Sequence, residues 1–384
     1  MKPLVSIAGG EGPYKNILKS LSPLDLSVLK GKKVLIKPNC GRIAKEGSGI
    51  NTHPQAVAAV IDALHNAGAS FVAIGEGTIL GVNTIEAFEA SGIASVAKER
   101  NALLIDLDKR SPVVQQVPAG ILLDSLKLCR DIFDFDYCVS VPVAKMHMHT
   151  VVSLSIKNMK GCLRGREKVR LHQLQYRKGK EYQHKTLDIA ISDLASILLP
   201  HIAVIDGFVG LEGMGPSAGE PIQSDFALAS FNALAADMVC CELMGLDPLE
   251  VPHLQLIRNR KIVDPFDFDS ISILPDKYIC YRHVYKRPPK TFCIDFPNIE
   301  VHDKESCSAC LSTLLLFLKR YADELDSYSL KDGKIHLAIG KSPENIPDGT
   351  ILIGNCTAQL KKRGIFISGC PPVSSRILKI LKGS

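Results

Sequence analysis

Short apolar runs alternate with amphipathic stretches through the first 250 or so residues. KKVLIKPN (32–39) reads as a buried strand followed by a loop. THPQAVAAVIDALHNAGA (52–69) has apolar residues at helical spacing, His-Pro at its start and Gly near its end. FVAIGEG (71–77) predicts a second strand, NTIEAFEASGIASVAKER (83–100) a second helix and ALLIDL (102–107) a third strand. DFDYCVSVPVAK (134–145) is another apolar strand, and VVSLSIKNMKG (151–161) begins a helix. TLDIAISDLASILL (186–199) is amphipathic and helical, HIAVIDGF (201–208) a strand, and SDFALAS with FNALAADMVCCELMG (224–245) a strand then a helix.

Strands separated by helices imply an α/β fold, a mostly parallel sheet with helices on both faces. In such sheets ligands bind beyond the carboxyl ends of the strands. Lys37, Asn39, Glu76, Lys145, His147 and Asp206 are expected there. From Val251 to Asn298 the pattern weakens into the Pro-punctuated VDPFDFD, KRPPK and IDFPN. The tail resumes with the helix CSACLSTLLLFLKRYADEL, the strands KIHLAIG, GTILIGN and GIFISG, and the helix SSRILKILK. The expected organisation is a large α/β domain with a cationic pocket over 1–250, a connecting or capping segment over 251–298, and a small α/β unit carrying four cysteines over 299–384.

The 384 residues, 46% of them hydrophobic, suffice for two or three domains. No run approaches the roughly 18 apolar residues of a membrane span. The start, MKPLVSIAGGEGPYK, lacks the features of a signal peptide. These readings predict a cytoplasmic protein with no membrane partner. The net charge of +6 is segregated: Lys157 to Lys185 holds ten Lys and Arg against two Glu, so the rest of the chain is slightly acidic. That segment suits an anion site in which Lys157, Lys160, Arg164 and Arg166 neutralise phosphate or carboxylate groups. Its few aromatic residues, Tyr176 and Tyr182, argue against nucleic acid.

The stretch AKMHMHT (144–150) alternates titratable residues with methionines. On a strand, Lys145, His147 and His149 share one face and the methionines take the other. Cationic neighbours should keep His147 neutral, able to act as a base or metal ligand. In the glycine-rich IDGFVGLEGMGPSAGEP (205–221), Glu212 reads as a catalytic carboxylate or a loop anchor, and Asp206 on the same strand favours the first.

Twelve cysteines in a cytosolic chain do not suggest a disulfide framework. Four cluster in the tail. Cys307 and Cys310 form a C-x-x-C at a helix start, where backbone N–H groups favour thiolates, and Cys356 and Cys370 follow strands. Zinc suits four cysteines but usually draws on two C-x-x-C hairpins, and a redox C-x-x-C would not need the second pair. One [4Fe–4S] cluster accepts thiolates from scattered positions and tolerates the Cys-Pro step at 370. Zinc remains the alternative, with unmetallated thiols a third.

KKVLIKPN, VPVAKMH followed by SIKNMKG, and IDGFVGLEGMGPSAGEP resemble, in this order, the family known as domain of unknown function 362, over about residues 30–250. The resemblance implies an iron–sulfur protein, with cysteine motifs appended to this domain, and names no reaction. The positions matching its motifs are Lys37, Asn39, Lys145, His147, Lys157, Asn158, Gly161, Asp206, Glu212, Gly213, Gly215 and Pro216. The compact double ferredoxin runs that commonly accompany the family are replaced here by one widely spaced set, which leaves a single centre. The expectation is a redox or Lewis-acid enzyme. Lys145, His147 and Glu212 are its catalytic candidates, and Lys37, Asn39, Lys157, Asn158, Lys160, Arg164, Arg166 and Asp206 hold a small anionic ligand. The competing expectations are an electron-transfer or metal-delivery protein docking an acidic redox partner, and a zinc-stabilised protein with non-redox pocket chemistry.

Overall fold

The apolar runs of the first 288 residues pair into one large sheet. A computed structural model describes residues 2–264, 267–288, 296–341 and 344–383, and the chain divides into two units, Met1–Pro288 and Pro289–Ser384. The strands of the first unit are β1 (Leu4–Gly9), β2 (Lys33–Pro38), β3 (Phe71–Glu76), β4 (Leu103–Asp106), β5 (Val113–Gln116) and β6 (Ser125–Leu128). They continue with β7 (Tyr137–Val141), β8 (Val143–His147), β9 (Val151–Ser153), β10 (Ile202–Glu212), β11 (Glu220–Ser230) and β12 (Ser272–Leu274). The sheet runs β12–β1–β11–β10–β7–β2–β3–β4, with β8 beside the far half of β10, β9 beside β8, and β5 and β6 as a separate hairpin.

From β10 to β4 every neighbouring pair is parallel, and β11 is antiparallel to both β10 and β1. Alternation along the central strands feeds two apolar layers. Val34, Ile36, Val72 and Ile74 pack on one face with the helix Pro54–Asn66, while Leu35, Ala73, Cys138 and Ile205 pack on the other with the helices Thr186–Ala195 and Ala233–Leu243. The α/β class, with helices on both faces of a mostly parallel sheet, is therefore the observed one.

Two local readings change. The strand expected to stop at Phe208 continues to Glu212 and turns back as β11, so the glycine-rich stretch is a hairpin connection. A Cβ on Gly215 would lie 1.9 Å from the Met146 carbonyl oxygen, and one on Gly219 2.2 Å from that of Glu212. These glycines let backbones pass closely. The segment expected to connect or cap is divided, because residues to 288 belong to the first unit. Pro252 opens the helix Pro252–Asn259, where its missing N–H leaves no helical hydrogen bond unmade, and β12 extends the sheet beside β1.

The second unit is a four-stranded parallel sheet in the order β13 (Ile299–Lys304), β14 (Ile335–Gly340), β15 (Thr350–Ile353) and β16 (Gly364–Ile367). The helices Ser308–Tyr321 and Ser374–Leu381 follow β13 and β16.

Candidate functional sites

At the carboxyl end of β2, Lys37 is 1% exposed and pairs at 2.7 Å with Glu76 from the end of β3, itself 2% exposed. Glu76 also accepts the N–H groups of Cys40 (2.8 Å) and Gly77 (2.9 Å), so its charge is neutralised and its lone pairs are used. Asn158 donates to the Lys37 carbonyl (2.9 Å) and to Ser140 Oγ (3.0 Å), locking the short helix Ser155–Asn158 onto β2 and β7. Asp237 caps that helix, accepting from Ser155 N–H at 2.8 Å and Ile156 N–H at 3.0 Å. Burial raises the Asp237 carboxyl to about 6.

The alternation of AKMHMHT holds as far as His147. Met146 is fully buried among core residues, while Lys145 and His147 project from the other face of β8. Lys145 Nζ donates to Asn39 Oδ1 and to the Ile50 carbonyl (2.8 Å). Burial first, then Lys157, Arg42 and Lys37, depress its amine to about 7, with Glu76 opposing. Lys157 Nζ reaches Ser153 Oγ at 3.2 Å, and burial lowers this amine to about 8, opposed by Asp188. Burial and then Lys157 push His147 well below its usual range, and burial takes His149 down to about 4. His172, which the sequence left unassigned, lies against Lys160 and is held neutral by burial and by the Lys160 and Lys157 charges. Lys145, Lys157 and Lys160 thus share one largely desolvated group with His147, His149 and His172, whose imidazoles burial and the nearby lysine charges keep neutral.

His147 has a different role from the one its sequence context suggested. Its Nδ1 accepts the N–H groups of His149 (3.1 Å) and Thr150 (3.3 Å), which fixes the neutral tautomer with hydrogen on Nε2. Nε2 is therefore a hydrogen-bond donor, neither a base nor a free ligand atom. Glu212 is the loop anchor: its oxygens meet Lys286 N–H (2.8 Å) and Lys286 Nζ (3.5 Å). The β10–β8 register pairs Leu211 with Lys145, and alternation turns Glu212 to the opposite face. Asp206 accepts from His53 N–H (2.8 Å) and Phe208 N–H (3.1 Å), tying β10 to the entry of the helix Pro54–Asn66. Burial raises its carboxyl.

Arg164 donates to the Arg110 carbonyl (2.8 Å) and lines, with Asp108, Lys109 and Asn83, a separate cavity of about 450 Å³, while Arg166 is exposed. Neither joins Lys145. Part of the basic run is paired, by Lys168–Asp108, Arg170–Glu167 and Arg177–Asp124. Sequence reasoning missed Arg42, Asp188 and Asp237. The two carboxylates had a legible signal, an Asp set among apolar residues of a buried helix. Asp188 and His253 are both fully buried and 3.6 Å apart, with no hydrogen-bond partner for their polar side-chain atoms among the described residues.

In the second unit all four cysteines follow carboxyl ends of parallel strands. Cys307 is the N-cap of the helix after β13 and Cys310 lies in its first turn, whereas Cys356 and Cys370 follow β15 and β16. The two strand ends are joined by Asn355 N–H to the Gly369 carbonyl (2.8 Å) and Gly369 N–H to Asn355 Oδ1 (2.8 Å). A Cβ on Gly354 would sit 3.4 Å from Cys310 Sγ, so the first pair reaches the loop bearing Cys356. Cys307 by hydrogen bonding, then burial, then the Cys370 and Cys356 sulfurs push the Cys310 thiol upward. Each thiolate disfavours the next. A cationic centre would reverse that, and four convergent thiols are a donor set that iron clusters and zinc both accept.

The sequence matches the family described as Domain of unknown function (DUF362) over residues 34–242, just over half of the chain. The chain belongs to the DUF362 family. The matched region spans Lys37, Glu76, Lys145, His147, Lys157 and Asp237, and it ends before the cysteine-bearing unit. Among curated proteins, a thylakoid-associated protein of Synechocystis sp. is 26% identical over 246 residues, 62% of this chain and 71% of that one. Among solved structures, the lactate racemase apoprotein from Thermoanaerobacterium thermosaccharolyticum shares 11% identity at a TM-score of 0.41, covering 64% of this chain and 57% of that one. A Thermotoga maritima protein shares 15% at 0.39, covering 62% and 60%. Both structural matches span less than two thirds of either chain. No helix among the described residues is long and apolar enough to cross a membrane.

Proposed function

We propose that this DUF362 protein is an iron–sulfur enzyme whose large unit binds a small anionic substrate or cofactor and whose small unit holds one [4Fe–4S] cluster. The observation that carries the cluster is the convergence of Cys307, Cys310, Cys356 and Cys370 at the carboxyl ends of β13, β15 and β16. When bound, such a cluster supplies one-electron chemistry or a Lewis-acidic iron. In the pocket, Lys145, Lys157 and Lys160 supply positive charge, His147 donates a hydrogen bond from Nε2, and Lys145, with its amine depressed to about 7, takes or gives a proton at Nζ. The proton-handling role expected of His147 and Glu212 passes to Lys145. The burial of Lys145, which is 3% exposed, favours a small ligand over docking to an acidic protein at that position.

Anaerobic purification is expected to give brown protein absorbing broadly near about 400 nm, with about four iron and four sulfide per chain. Colourless protein with stoichiometric zinc would replace this reading with the zinc-stabilised one.

The anion site has its own test in pH-dependent stability. The folded-state pKa values of Lys145 (about 7) and Lys157 (about 8) lie below the ordinary lysine value of 10.5. The unfolded chain therefore holds more protons between those values and 10.5. Stability from these two groups rises with pH across that window and is lost as pH falls through it. A bound anion relieves the loss. Inorganic phosphate is expected to raise the melting temperature more at pH 6 than at pH 9, and the difference should vanish in Lys145→Met/Lys157→Met. An equal shift at both pH values would remove the site.

A further inference from the structure

A second group of ligand-type side chains lies in the small unit, on strands rather than on the cysteine loops. Alternation along β13 puts Glu300 and His302 on one face, and the parallel register pairs Glu300 with His336 of β14, so the three share that face. Ile335, Leu337 and Ile339 take the other face of β14. His302 Nε2 and His336 Nδ1 are 2.9 Å apart, with the rings stacked at 5.2 Å between centroids. Glu300 Oε1 lies 4.0 Å from His302 Nε2, and one donor atom from each residue falls within 4.8 Å of the others.

The surroundings set the donors. Asp332 Oδ2 is 2.8 Å from His336 Nε2, so that nitrogen carries the hydrogen and the Nδ1 lone pair turns toward His302. A carboxylate that fixes the tautomer of an imidazole in this way is the usual outer partner of a metal-bound histidine. Lys334 Nζ holds Glu300 Oε2 at 3.0 Å, which leaves Oε1 for the group. His336 is buried and His302 and Glu300 are partly exposed, so the cluster opens to water on one side.

We propose that Glu300, His302 and His336 form a divalent-cation site of zinc type, with two imidazole nitrogens, one carboxylate oxygen and a fourth position open to water. Nitrogen and oxygen donors in this ratio suit Zn²⁺ or Co²⁺, and with donor–zinc distances of about 2.0–2.2 Å the three atoms settle roughly 3.3 Å apart, so the two imidazole nitrogens open from 2.9 Å and Glu300 Oε1 closes from 4.0 Å. Binding exchanges the imidazole–imidazole hydrogen bond for two bonds to the ion, and the hydrogen on His302 Nε2 passes through water to His302 Nδ1, leaving both imidazoles neutral. Asp332 is a positioning residue. The site is independent of the cysteines and of the iron–sulfur reading.

The test uses the full-length protein titrated with Co²⁺ and then Zn²⁺. The expected result is one Co²⁺ per chain beyond any held by the cysteines, its ligand-field bands free of thiolate charge-transfer absorption and displaced by one Zn²⁺. His302→Gln and His336→Gln should each weaken binding by more than about 100-fold, and Asp332→Asn by about 10–100-fold, whereas Cys356→Ser should leave it unchanged. Circular dichroism of the metal-free variants checks folding, and Glu300→Gln, at the more exposed edge, provides a further variant should His336→Gln not fold. Cobalt absorption showing only thiolate ligation, or unchanged affinity in folded His302→Gln and Glu300→Gln, would overturn the proposal.

Discussion

Lys37→Met is expected to destabilise the large unit by about 3–5 kcal/mol, because it leaves the Glu76 carboxylate 2% exposed and without its cation. Glu76→Met should do comparable damage, since it strands the ammonium and two backbone N–H groups. The double replacement Lys37→Met/Glu76→Met should recover much of the loss, because the penalty comes from an unpaired buried charge rather than from missing attraction. Denaturant midpoints of the four proteins give the coupling directly. Strictly additive losses would mean that the two groups do not act as a pair. Gly161→Ala approaches the same pair from outside: its Cβ would fall 2.5 Å from Glu76 Oε1 and 2.6 Å from Lys37 Cε. It too should destabilise the unit.

Substituting any one of Cys307, Cys310, Cys356 or Cys370 by serine is expected to reduce iron and sulfide from about four per chain to a small residue, with loss of the visible absorption. The large unit should keep its phosphate response, because the lysines lie in a different unit. Cys240→Ser and Cys241→Ser are the contrasting cases. Burial pushes both of these thiols well above their ordinary range among apolar neighbours, so they are packing groups, and their replacement should alter stability and not iron content. Retention of full iron by a folded Cys356→Ser protein would remove the four-thiolate assignment.

The class of the fold was legible because strand and helix periods alternate cleanly from KKVLIKPN onward, and central strands buried on both faces must read as continuous apolar runs. The antiparallel hairpin of β10 and β11 was hidden by its glycines, which look like a ligand loop in one dimension and are in fact points of backbone contact with Met146 and Glu212. β1 was missed because its partners, β11 and β12, lie more than 200 residues away in the chain. Lys145 and Lys157 were recognisable as cations at strand ends, but neither their burial nor their mutual repulsion has a sequence signature. His147 shows the reverse difficulty. Its residue type suggested a base, and only the backbone turn after β8, which aims two N–H groups at Nδ1, reveals a donor. Arg164 and Arg166 were drawn in by local charge density, which carries no information about direction.

The way β15 and β16 deliver their cysteines has a consequence for biogenesis. Cys356 is brought to Cys310 by the loop after β15, and Cys370 joins them only through the last strand, so the sulfur nest does not exist until residues 364–370 have left the ribosome and docked. On the proposed cluster reading, metal delivery is a late event in the life of the chain, and a nascent protein that ends just before β16 presents three of the four thiols rather than a complete receptacle.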